Sequence, residues 1–135
     1  MARVAVITAD FYDEIARGLQ ESASKVLHEK GIETTYIRVP GAFELPMALS
    51  RAIKTGVYDG YVVLGCVVRG ETDHYRYVCE SCCRGVMDVS CRADASVGFG
   101  VLTVATLAQA RARLDYGARA ARTCLAMMAL QGLKT

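Results

Sequence analysis

The chain has 135 residues, long enough for one domain over residues 1–135 that buries about two-thirds of its unfolded surface without a metal or disulfide to hold it. Sixteen basic against fourteen acidic residues leave a net charge of +2, with no basic stripe interleaved with aromatics, which argues against a nucleic-acid partner. No stretch approaches the ~18 consecutive apolar residues of a membrane span, and MARVAVITADF lacks a signal peptide's apolar run and cleavage site, so the expected setting is cytoplasmic, with the six cysteines reduced.

In chain order, strand and helix patterns alternate. RVAVITA is a short, β-branched apolar run that needs cover on both faces, which predicts a buried strand. From about Tyr12 to Lys30, Ile15, Leu19, Ala23, Val26 and Leu27 fall at helical spacing, with Asp10 as the expected N-cap and Gly31 as the stop. TTYIRV predicts a second strand, PGAFELP a turn, and Glu44 to Lys54 a short helix ending at Gly56. YVVLGCVV predicts a third strand, Asp73 to Arg92 a third helix, and VGFGVLTV a fourth strand. Helices over Leu107–Leu114 and Ala118–Leu130 close the chain.

Four strand-plus-helix units imply a mostly parallel sheet with helices on both faces, because parallel strands need crossover connections. Ligands of such sheets bind outside the carboxyl ends of the strands. The residues expected there are Asp10-Phe11-Tyr12 after the first strand, Gly41-Ala42-Phe43-Glu44 after the second and Arg69 to His74 after the third, with Phe99 and Thr103 around the end of the fourth.

Each candidate group carries a plain structural alternative. Cys79, Cys82 and Cys83 lie at i, i+3 and i+4 on a helix, but no second CxxC and no His-x3-His accompanies them, so packing is favoured over metal or redox chemistry. A Cys-x5-Arg phosphatase loop is excluded, since Thr72 stands where the arginine would be. His28, among Lys25, Glu29 and Lys30, reads as a solvated surface residue. His74 opens a helix directly after a glycine-containing turn, where imidazole suits proton transfer near neutral pH. Backbone N–H groups of the Gly70-Glu71-Thr72 turn favour an anion, with Arg69, Arg111 and Arg113 as candidate partners. Glu44 is placed either as a helix-start carboxylate or as an acceptor for ligand hydroxyls, and Phe11 either as core or as a platform for a flat ring.

Taken together, VPGAFELP, then LGCVVRGETDHYRYV, then FGVLT and a downstream arginine resemble the lumazine synthase family of riboflavin biosynthesis, over nearly the whole chain from Arg3. The resemblance implies a flavodoxin-like three-layer α/β/α sandwich with a four-stranded parallel sheet of order 2-1-3-4. It implies condensation of 5-amino-6-ribitylaminouracil with 3,4-dihydroxy-2-butanone 4-phosphate to 6,7-dimethyl-8-ribityllumazine, with no metal or organic cofactor. By matched position it makes His74 the proton-transfer group and Phe11 the stacking ring. Ala42, Phe43 and Glu44 would line the ribityl side, and Cys66, Val67 and Val68 would contact the pyrimidine. Glu71 and Thr72 would hold phosphate through their turn. Arg113 would bind phosphate, and Phe99 and Arg113 would come from a neighbouring subunit.

The chain departs from the family pattern in three places. Tyr12 stands where asparagine often follows the stacking residue, and RARLDYGARAA is shorter than the usual lysine-containing connection, with Tyr116 near the lysine's place. The chain also begins at the first core strand. The expected assembly is therefore a pentamer or decamer, not a sixty-subunit shell. Two rival readings are a flavin- or lumazine-binding paralogue of weak or no activity, and a scaffold protein.

Overall fold

The computed structural model describes residues 1–133. Strand β1 is Arg3–Ala9, helix α1 Asp13–Glu29 and β2 Glu33–Val39. A 3-10 turn over Ala42–Glu44 leads into α2, Leu45–Lys54. Then follow β3 (Gly60–Val68), α3 (His74–Ala93), β4 (Val97–Val104), α4 (Leu107–Arg111) and α5 (Tyr116–Met128). The four strands form one parallel sheet of order β2-β1-β3-β4, the flavodoxin-like arrangement.

Strand alternation explains the three layers. Side chains of successive residues point to opposite faces, so Val4, Val6, Val62 and Leu64 turn toward α1 and α5, where Ile15, Leu19, Leu27, Ala120 and Cys124 meet them. Ala5, Ile7, Val63 and Val101 turn the other way, onto Leu45 and Leu49 of α2 and Cys82 and Val86 of α3. A sheet covered on both faces needs apolar residues at nearly every position of its inner strands, and β1 and β3 supply them. Among the described residues, no helix is long and apolar enough to cross a membrane.

Helix limits differ from the expected ones in three places. Asp10 does not cap α1: the N-cap position is Tyr12, without a side-chain cap bond. The Asp10 carboxylate lies 3.5 Å from Arg38 instead, and Arg38 also reaches Asp13 at 3.3 Å, so the end of β2 competes for the acid. Helix α4 ends at Arg111, short of Leu114, and α5 begins at Tyr116, ahead of Ala118. Here the Ser22 hydroxyl of α1 donates to the Leu114 carbonyl (2.7 Å) and accepts from the Ala118 amide (2.9 Å), fixing the chain between the two helices. Gly117 packs so closely that a Cβ would overlap the Leu19 carbonyl. The start of α4 is a capping box missed in the sequence, although Thr106-x-x-Gln109 carries its signature. Gly31 does end α1, at φ 69°, a conformation that glycine adopts at little cost.

The cysteines divide by burial. Cys66, Cys82 and Cys124 are buried, Cys79 is half-buried, and Cys83 and Cys91 are exposed. Burial pushes the Cys66 thiol up to about 11 from its ordinary 9.0, and those of Cys82 and Cys124 up to about 12. All three therefore pack as neutral apolar groups at physiological pH.

Two predictions follow from this packing. A thiol-specific reagent at pH 8 should modify Cys83 and Cys91 rapidly and Cys66, Cys82 and Cys124 only on unfolding; rapid modification of any of these three in folded protein would contradict the burial. The folded state also keeps these three protons where the unfolded chain has lost them, so their contribution is fully present below about pH 9 and is lost as pH rises toward 11 to 12; urea midpoints at pH 7.5 and pH 10 test this. Separately, a Cβ at Gly98 would overlap the Ala120 carbonyl of α5. Gly98→Ala should cost about 1–3 kcal/mol or more, as overpacking does, read as a lowered denaturation midpoint.

Candidate active site

Because the strands are parallel, their carboxyl ends share one rim. Two backbone bonds extend strand pairing past the strand ends: the Asp10 amide donates to Val39 O (3.0 Å) and the Arg69 amide to Val104 O (2.9 Å). The loops after β1 and β3 therefore leave the sheet from fixed positions.

Phe11 follows β1 and is 73% exposed. Its ring meets that of Tyr12 edge-on, with centroids 5.0 Å apart and planes at 79°, and Tyr12 is itself packed on the core. An apolar ring left in solvent but steadied on one side is suited to take a flat partner on its face. After β2, Ala42 is buried and anchors the 3-10 turn, while Phe43 is 62% exposed. The Glu44 amide donates to Gly41 O at 3.1 Å, and a Cβ at Gly41 would stand 3.1 Å from Glu44 Oε1. The Glu44 carboxylate thus lies beside the Gly41 backbone, and a side chain at position 41 would crowd it.

At the end of β3, Cys66 is buried and Val67 and Val68 are half-buried. The chain then runs through the exposed turn containing Gly70, Glu71 and Thr72 to His74, the first residue of α3. The Thr72 hydroxyl accepts from the His74 amide at 3.3 Å, which leaves its own proton free to donate outward. The His74 imidazole is exposed and makes no hydrogen bond to the described residues. Next to it, the ring of Tyr75 lies 4.9 Å from the Arg69 guanidinium. Burial first, then Cys79, raises the pKa of the half-buried Tyr75, with Thr103 and Arg69 acting the other way. Burial also raises that of Cys79, against a lowering effect of Tyr75. Through its contact with Arg69, Tyr75 sets the first turn of α3 against the end of β3.

Gly41, Phe43 and Glu44 from the first turn and His74, Tyr77 and Val78 from α3 line one open cleft of about 470 Å³. The structure thus brings together Ala42, Phe43, Glu44 and His74, with Phe11, Cys66, Val67, Val68, Glu71 and Thr72 on the same rim. Tyr75 and Tyr77 were not singled out in the sequence. The i, i+3, i+4 spacing of His74, Tyr77 and Val78, which puts them on one helix face, was the available signal.

Phe99 is not at the rim, contrary to the expectation from sequence. The register sets it opposite Val63, five residues before the end of β4. It lines a separate apolar groove of about 510 Å³ with Met87 of α3 and Met127 of α5. Thr103, by contrast, is close to the strand end. Arg113 is exposed beyond α4 and donates to Gln109 O at 3.0 Å, outside the cleft. Arg111 is engaged by Glu14 at 3.1 Å. Among the described residues, no three His, Cys, Asp or Glu side chains converge as a metal site.

A solved structure of a de novo designed protein with a P-loop NTPase fold superposes with a TM-score of 0.50 at 14% identity, covering 94% of this chain and 95% of that one, which supports the fold alone. The family model described as 6,7-dimethyl-8-ribityllumazine synthase matches residues 1–132. Proteins named 6,7-dimethyl-8-ribityllumazine synthase are similar to this chain along most of its length. That of Paramagnetospirillum magneticum is 45% identical, covering 97% of this chain and 95% of its own. That of Bartonella bacilliformis is 42% identical, covering 93% and 88%, and that of Methylobacterium radiotolerans 41%, covering 96% and 82%. The chain belongs to the 6,7-dimethyl-8-ribityllumazine synthase family.

Proposed function

We propose that this chain, acting as one domain, is a transferase of riboflavin biosynthesis. It condenses 5-amino-6-ribitylaminouracil with 3,4-dihydroxy-2-butanone 4-phosphate, forming 6,7-dimethyl-8-ribityllumazine and releasing phosphate and water. The observation that carries the reading is the unpartnered His74 imidazole, facing one cleft with Glu44 and beside an anion-favouring turn.

The chemistry asks for little more. The 5-amino nitrogen attacks the ketone carbon, and loss of water gives an imine. A proton then leaves the carbon chain, the carbon–oxygen bond to phosphate breaks, and the resulting enol becomes a ketone; the ribitylamino nitrogen adds to it, and loss of a second water closes the ring. Each step moves protons and one expels an anion, and none needs a covalent nucleophile. In this reading His74 carries the protons. Phe11 stacks on the pyrimidine, whose edge meets Cys66, Val67 and Val68. Ala42, Phe43 and Glu44 take the ribityl side, with Glu44 accepting from hydroxyls. The turn at Glu71 and Thr72 holds the phosphate through its N–H groups. Holding two substrates in register can itself supply about 7–11 kcal/mol.

Phe99 and Arg113 lie away from the cleft of their own protomer, which supports a site completed by those residues of a neighbouring copy in a homo-oligomer, a pentamer or decamer. The Arg113 guanidinium then pairs with the phosphate, for which its fork geometry is suited.

The reading is tested by following lumazine formation from both substrates over the uncatalysed background. Binding of the pyrimidine or of riboflavin without turnover would instead favour a binding paralogue. His74→Ala should slow turnover by roughly 10- to 10⁴-fold, the range of general acid–base effects, with substrate binding kept; an unchanged rate would refute the role. Arg113→Ala should raise the KM for the phosphate substrate. Assemblies of mixed His74→Ala and Arg113→Ala subunits should regain turnover above either variant alone, because some interfaces then hold both native residues. No gain on mixing would place the two residues in separate sites.

A further inference from the structure

We propose that Tyr77 is a specificity-determining residue whose phenol hydroxyl donates a hydrogen bond to the polyol chain of the pyrimidine substrate, from the cleft wall facing Glu44. The proposal rests on the reading above and deepens it. Three polar side chains line the cleft: Glu44, His74 and Tyr77. An ionised carboxylate only accepts hydrogen bonds, whereas each hydroxyl of a polyol both donates and accepts. A cleft that offered acceptors alone would leave the hydroxyl lone pairs of a bound polyol without donors. With the imidazole committed to moving protons, the Tyr77 hydroxyl is the neutral donor that remains.

Its placement fits this role. Tyr77 lies three residues after His74, so both side chains rise from one face of α3. Its amide donates to Asp73 O at 3.2 Å, which fixes the backbone in the first turn of the helix. The ring is 60% exposed, close to Phe43 at 62%, so two large rings stand open on either side of the cleft. The hydroxyls of Tyr36 and Tyr61 are already engaged, by Ser24 at 2.7 Å and by Tyr58 O at 3.5 Å. That of Tyr77 has no partner among the described residues.

The test is equilibrium binding of two unreactive pyrimidines to intact protein and to Tyr77→Phe. One is a 6-ribitylaminouracil without the 5-amino group; the other carries a 6-ethylamino group in place of ribitylamino. Tyr77→Phe keeps the exposed ring, and its fold is checked by circular dichroism. The expected result is a roughly 2- to 12-fold weaker Kd for the ribityl compound, the loss of one hydrogen bond, with the ethyl compound unchanged within about twofold. Equal weakening of both compounds, or of neither, would overturn the proposal. If unmodified protein prefers the ribityl compound and Tyr77→Phe erodes that preference while no lumazine forms from the true substrates, the function reading fails and Tyr77 stands. If lumazine forms but Tyr77→Phe leaves the preference intact, the Tyr77 assignment alone fails.

Discussion

The parallel sheet is the constraint on which the rest of the molecule depends. Parallel strands require every connection to cross back over a face, so every strand ends on the same rim. Four separate sequence segments thereby reach one edge of the protein. The bonds from Asp10 to Val39 and from Arg69 to Val104 carry the ladder one residue beyond the strands. That extra residue matters, because Phe11 follows one and the turn leading to His74 follows the other. Disturbing the register of β1 against β3 would move one relative to the other.

Two-sided burial then limits what each face can hold. On one side, α5 lies so close to β4 and α1 that Gly98 and Gly117 are the only residue type that fits. Ser22 satisfies the Leu114 carbonyl and the Ala118 amide, groups exposed where α4 stops and α5 begins. A half-buried serine with three backbone partners is a directional element within an otherwise apolar contact. On the other side, α2 and α3 pack through Leu45, Leu49, Cys82 and Val86, and there the thiol serves as a small apolar group. The helix that carries His74 is thus seated on the sheet by its inner face, leaving His74 and Tyr77 facing outward.

How much of this was legible in the sequence depended on the range of the forces involved. The strands β1 and β3 were plain, because burial on both faces forces an unbroken apolar run. Helix α1 was plain from its spacing, and Gly31 from the backbone freedom the stop requires. What failed was long-range competition. Asp10 has the chemistry of an N-cap, yet Arg38, distant in sequence and close in space, draws its carboxylate. The break between α4 and α5 is set by Ser22 from another helix, which no local pattern encodes. Phe99 was misplaced because a strand's length does not say which of its residues reaches the end; the pairing with Val63 does. The motif order identified the family at once, but identified no contact, and Tyr75 and Tyr77 emerged only from the geometry.

The His74 imidazole itself argues for how such a site works. A catalytic histidine held by a buried carboxylate has its tautomer fixed and its basicity raised. His74 has no such partner among the described residues; it stands in solvent at the start of a helix. On the proposed reading that one group would move protons both ways over a multistep condensation. On that reading the rate would come from placement, and the fixed interactions lie there: Tyr75 against Arg69, Phe11 steadied by Tyr12, Glu44 beside the Gly41 backbone. A site of this kind gains from added walls more than from added reactive groups, which is what an adjoining copy bearing Phe99 and Arg113 would supply.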